Sequence, residues 1–301
     1  MSIFSDKFDQ LKKADKAVKS PKYLQEVMGI GRIAENGIFE VGKGIYSKTY
    51  RFLDINYVTA GAEEQMRILK QYCKTVNAID VYFLITIFNR NKNMQDFREH
   101  VLFQEKGDGF NWLRGSYNQI IEKRIVDGRQ GIEQEKLLTV CVERKSYEQA
   151  KAFFATFEAT LKQNFGELGS CIEELNAEER LRVLFNFYRI GEEEQFSFDF
   201  RQALKKGGDP KNDISPGYMQ FYPGYFETER KKCRALFIKK YPSSLSDTFL
   251  NEITSLPVHS ITTICIVPVP KELANKVLQK KYLGIENDIL KQQRVRNKNN
   301  D

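Results

Sequence analysis

The chain has 301 residues, a formal net charge of +7, 41% hydrophobic residues and 29% charged residues. That balance excludes a disordered chain and fits a globular protein of one large domain or two modest ones. The longest apolar stretch, Val81 to Phe88, has the length of a strand, far short of the ~20 residues a membrane helix needs, and the N-terminus lacks an apolar signal core. We therefore expect a cytoplasmic chain.

Residues 1–22 read as a basic tail, with six lysines against two acids from Lys7 to Lys22. A short basic run is most often a solvated face. As a site, Lys12, Lys13, Lys16 and Lys19 would meet anionic lipid or another partner. The segment Gly37 to Gly44, GIFEVGKG, comes within one residue of a phosphate-binding loop. Gly44 replaces the hydroxyl residue that would hold Mg²⁺, and Glu40 would set negative charge against a polyanion. The flanking pattern predicts instead a hairpin over about 37–57 that turns at Gly42-Lys43-Gly44.

A helix is predicted over 62–77 with Met66, Leu69, Cys73 and Val76 on its inner face, then a strand over 80–89. Residues 94–126 read as a helical insert divided at Gly107-Asp108-Gly109, with Leu113, Tyr117, Ile120, Ile121 and Ile125 on one side. A strand follows at 137–143, then a helix at 147–165 that buries Ala150, Phe153, Phe154, Phe157, Leu161 and Phe165. Cys171 to Leu175 is a short strand, and Asn176 to Glu179 a capping box for a helix to about 189. Without the insert, residues 23–190 run strand, helix, strand, strand, helix, strand. That is the split βαβ order of a ferredoxin-like unit, so the fold class is α+β: a mainly antiparallel sheet with helices on one face.

Residues 191–216 read as a connector. A second α/β unit is predicted over 217–290: a hairpin at 217–227, a strand at 233–240, a capping box Ser244 to Asp247, a helix at 245–256 with Leu245, Phe249, Leu250, Ile253 and Leu256 inward, a strand at 260–267 and a helix at 271–290. The order repeats that of the first half and reads as an internal duplication. Residues 291–301 form a second basic tail.

Chemistry is sparse. The five cysteines, 73, 141, 171, 233 and 265, show no C-x-x-C spacing, and three fall at core-like positions, which predicts reduced structural thiols. His100 and His259 are the two histidines, and no G-x-S-x-G elbow occurs. The acidic pairs Glu63-Glu64, Glu173-Glu174 and Glu178-Glu179 fit helix starts and strand ends better than a catalytic cleft. These residues point to no cofactor, no metal and no catalytic constellation, and we expect this chain not to be an enzyme.

The run Glu35 to Val41, followed by Tyr46 to Tyr57, YSKTYRFLDINY, resembles the N-terminal region of the type IV secretion ATPases, the fourth VirB component with its TrbE and CagE relatives. The likeness is to the branch in conjugative elements of Gram-positive bacteria. It continues through Phe97 to Leu102, Gly107 to Gly109, Glu135 to Glu143, Leu175 to Leu181 and Ala235 to Asp247, and so spans about 30 to 285. The resemblance implies a non-catalytic docking and assembly domain that contacts inner-membrane secretion components in conjugal DNA transfer. It places the chain at the cytoplasmic face of the membrane. In this family the phosphate-binding loop and the hexameric ring belong to a C-terminal motor domain, for which these 301 residues show no matching position. The alternative is a nucleic-acid-binding module that uses the basic tails and one sheet face, with affinity that falls steeply with salt.

Overall fold

The computed structural model describes residues 24–91, 102–126, 132–207, 209–228, 231–241, 244, 248–256, 258–269 and 271–298. Its sheet starts at the predicted hairpin. Strand β1 (Phe39–Gly42) folds back on β2 (Ile45–Phe52) through Lys43-Gly44, where Gly44 takes φ +72. The near-phosphate-loop is thus two paired strands, with Phe39 opposite Ser47 and Gly42 opposite Ile45. The Gly44 N–H points at Glu40 Oε1, 3.5 Å away.

Strand β2 pairs antiparallel with β4 (Ile132–Glu143), and β4 with β3 (Phe83–Asn91). The short β5 (Ile172–Glu174) takes the far end of β2. Helix α2 (Ala62–Ala78) connects β2 to β3, and α4 (Tyr147–Leu168) connects β4 to β5. The spatial order β5-β2-β4-β3 with these connections is the expected split βαβ arrangement. The protein is therefore a mixed α+β fold with a mainly antiparallel open sheet.

Alternation along the strands divides the two faces. Tyr46, Tyr50, Phe83, Leu138, Val140 and Val142 point toward α4 and meet Ala150, Phe154 and Leu161 in the main core. Phe153, Phe157 and Phe165 pack against its margin, so the phenylalanine stripe lies where periodicity put it. In α2 the inner face differs from the expectation. Ile68 and Thr75 are buried and Val76 packs on the core, whereas Met66, Leu69 and Cys73 are exposed. Thr75 donates its hydroxyl to Gln71 O at 2.9 Å, so its burial leaves that hydroxyl paired.

A second core lies beyond β1. Met28, just past the short α1 (Leu24–Val27), meets Phe39, Ile214 and, from α5 (Ala177–Tyr188), Ala177, Leu181 and Phe185. The α5 capping box forms as read: the Glu179 N–H donates to Asn176 Oδ1 at 2.9 Å, and the Asn176 N–H to Glu179 Oε2 at 2.8 Å. Residues 191–216, read as a connector, hold a 3-10 turn (Glu193–Gln195), α6 (Phe200–Lys206) and α7 (Pro210–Ile214). They close this core with Ile214, Phe196, Phe198 and Phe200.

The C-terminal half, read as a second unit with the element order of the first, does not form a sheet of the same kind. Strands β6 (Met219–Tyr222), β7 (Tyr225–Thr228) and β8 (Lys231–Cys233) form a separate three-stranded sheet, with Gly224 at φ +90 in the first turn. The strand expected over 233–240 stops at Cys233. Helix α8 (Phe249–Thr254) is shorter than read and buries Thr254, while Leu250 and Leu256 are exposed. Its N-cap residue is Thr248, whose side chain makes no capping bond, and Asp247 of the expected capping box lies outside the described residues. Strand β9 (Ser260–Ile266) pairs with the edge of β3, and helix α9 (Lys271–Lys298) follows it. No described helix is long and apolar enough to cross a membrane.

Candidate docking surface

The helical insert has no place in the split βαβ order, and the structure shows what becomes of it. Helix α3 (Asn111–Val126) presents Trp112, Leu113, Tyr117 and Ile120 to solvent, with Trp112 69% exposed. The preceding loop adds exposed Phe103 and Phe110. This arm is built rather than frayed. The Phe103 N–H donates to Asn118 Oδ1 at 3.0 Å, and Asn118 Nδ2 returns a bond to Phe103 O at 2.9 Å. The Phe103 and Tyr117 rings lie 5.2 Å apart. At Gly107-Asp108-Gly109 the chain reverses. There Asp108 accepts from the Phe110 N–H at 3.2 Å and from Arg114 Nη1 at 2.6 Å, and Gly109 takes φ +77. The Arg114 bond chiefly, then the backbone bond, hold the Asp108 carboxyl down to about 2. Six large apolar side chains are thus fixed on one short arm without a cover among the described residues.

Further apolar surface occurs where predicted strand did not form. After β8, Leu236 and Phe237 are each 84% exposed, flanked by Arg234, Lys239 and Lys240. On α9, Leu278, Tyr282, Leu283 and Ile285 are exposed. On α2, Met66, Leu69 and Tyr72 continue the pattern. Contiguous exposed apolar patches on folded proteins mark interaction surfaces.

The sheet face opposite α4 is different in character. Thr49 and Thr139 share a hydroxyl bond at 2.9 Å, and Thr86 and Thr263 one at 3.2 Å. Toward its end Arg51 Nε donates to Glu135 at 2.7 Å, and Arg90 lies 3.0 Å from Glu133. Beside them, a cleft of about 720 Å³ runs under Arg182 of α5 and Phe196. Arg51, Arg90 and Lys136 there are each paired with an acid at close range, so the field within the cleft is mixed rather than basic. One end of α5 is held by Arg180, buried over the Phe39 ring at 3.9 Å. Its Nη1 donates to Gly37 O at 2.7 Å and Ser47 O at 2.8 Å. Burial pushes its pKa down to about 9, which leaves it charged at neutral pH.

The residues singled out from the sequence are dispersed. Lys12, Lys13, Lys16 and Lys19 lie outside the described residues, as does His100. Lys43 is an exposed turn residue. All five cysteines are free thiols: Cys73, Cys171 and Cys265 are exposed, and Cys141 and Cys233 partly so. The expectation of core thiols fails because these residues fall on an outer helix face, a strand approach, the second sheet face and edge strands. Sequence reasoning missed Phe103, Phe110 and Trp112. The signal was present: an aromatic-rich helix that is surplus to the fold has nothing in its own chain to bury against. No protein-family model and no curated protein sequence matches the chain.

Proposed function

We propose that this chain is a non-catalytic docking and assembly domain of a conjugative type IV secretion ATPase, which contacts membrane-embedded components of the apparatus. One observation carries the reading: the ordered arm of Phe103, Phe110, Trp112, Leu113, Tyr117 and Ile120, which stands exposed on the folded chain. The sequence likeness to the N-terminal region of that ATPase family supports the identity of the partner. The basic flanks of Leu236 and Phe237 suit a site close to anionic headgroups at the cytoplasmic face. Nucleotide chemistry would belong to a motor domain beyond these residues.

The test is direct binding of the purified chain to detergent-solubilised secretion components of a conjugative element. Trp112→Ser with Leu113→Ser should weaken capture by tenfold or more, about 1.4 kcal/mol or above, as for truncated aromatic anchors. The melting temperature should be unchanged, because both side chains are exposed. Equal capture by wild type and variant would sink the proposal. So would ATP hydrolysis well above a Lys43→Ala control.

A further inference from the structure

Among the described residues the outer edge of β9 is open. Strand β3 occupies one side of it, and no described strand pairs with the other. An open edge is a template for another strand, and folded proteins usually blunt it with a charge, a proline, a bulge or a very short strand. Residues 260–266, Ser-Ile-Thr-Thr-Ile-Cys-Ile, have none of these devices. The strand is seven residues long, uncharged and rich in β-branched side chains, and its register with β3 runs unbroken from Phe83–Ile266 to Asn89–Ser260.

We infer that this edge pairs with the same edge of a second copy, antiparallel about a twofold axis at Thr263, to make one sheet continuous across two chains. Three features suit a copy of the chain as the occupant. A twofold axis normal to the sheet requires facing residues to lie on the same face, and a centre on Thr263 meets this with Thr263 facing Thr263, Ile261 facing Cys265, Thr262 facing Ile264 and Ser260 facing Ile266. No facing pair includes a charge, so the seam escapes the repulsion between two chains of net charge +7. Thr263 is exposed, and its hydroxyl already bonds Thr86 across β3 at 3.2 Å. The paired edges would extend that contact into a row of four threonines, Thr86-Thr263-Thr263-Thr86, of the kind that cross-strand hydroxyl pairs favour. The strand seam is small, so the dimer is a weak one that populates as concentration rises.

The test is sedimentation of the full chain from about 1 to 100 µM, the range over which a weak complex passes from mostly dissociated to mostly formed. Wild type should move from 35.1 kDa toward twice that mass. Thr263→Lys, which sets two ammonium groups face to face at the seam, should weaken the dimer about tenfold or more. Its circular dichroism and melting temperature should match wild type, because the position is exposed. Thr263→Cys in a background of Cys73→Ser, Cys171→Ser and Cys265→Ser should give a disulfide-linked dimer under mild oxidation, and Thr262→Cys in the same background much less. A chain that stays monomeric throughout overturns the inference. So does a dimer indifferent to Thr263→Lys, or equal cross-linking at 262 and 263. These outcomes are separable from partner capture by the arm, which uses none of these residues.

Discussion

Gly37 offers the sharpest test of how the two cores are joined. It takes φ +77, and a Cβ built on it would lie 1.9 Å from Leu175 O. An alanine must therefore adopt a left-handed backbone, at about 1 kcal/mol. It must also push back the Leu175–Asn176 backbone that leads into α5. Two hydrogen bonds depend on that approach: the Ala177 N–H to Glu35 O at 3.1 Å, and Arg180 Nη1 to Gly37 O at 2.7 Å. Each contributes about 1 kcal/mol. Gly37→Ala should therefore cost about 3 kcal/mol, a fall of about 6–12 °C in Tm for a chain of this size. Gly169 supplies the control, with φ +81 and nothing within 4 Å of its added Cβ. Gly169→Ala should cost only the backbone term, about 1 kcal/mol. Urea unfolding of both variants, followed by circular dichroism, separates crowding from conformation. If the two lose the same stability, the close approach of Gly37 to α5 does not hold the cores together.

Other expectations are simpler. Lys48 is buried between Glu158 and Glu174, and Tyr50 also donates to Glu158 at 3.3 Å. Lys48→Met strands the Glu158 carboxylate and should cost about 3 kcal/mol in urea unfolding. Adding Glu158→Leu should recover much of that loss, and no recovery would mean that the ion pair is not what Lys48 contributes. Asn176→Ala removes the cap of α5 and should cost about 1 kcal/mol, with Asn176→Asp close to wild type. His259 packs edge-on against Phe88 at 5.3 Å, and burial lowers its pKa below 6.5 against the opposing pull of Glu193. The unfolded chain therefore takes up the proton first as pH falls, so this residue lowers stability below about pH 6.5 and has no effect above it. His259→Phe should reduce the loss of Tm between pH 7.5 and 5.5, and an unchanged loss would refute the assignment.

Local signals were legible in the residues. The hairpin at Lys43-Gly44, the Asn176–Glu179 capping box and the phenylalanine stripe of α4 each depend on a few neighbours along the chain, where turn chemistry, capping and helical period act. They were enough to reach a split βαβ sheet. The rest needed the folded chain. In α2 the packing of the other elements buries Ile68 and Thr75 rather than Met66, Leu69 and Cys73, and Thr75 bonds its hydroxyl locally to Gln71 O. The second half reads as a repeat of the first, but β9 pairs with the open edge of β3 and joins the first sheet. The segment 191–216 reads as a connector from its acidic run at 192–194 and its Lys205 to Pro210 stretch, yet Phe196, Phe198, Phe200 and Ile214 close the second core. The α3 arm shows the same limit most plainly. Its apolar residues read alike whether buried or exposed, because sequence determines which faces are apolar, and only the arrangement of all other elements decides which of those faces has a partner.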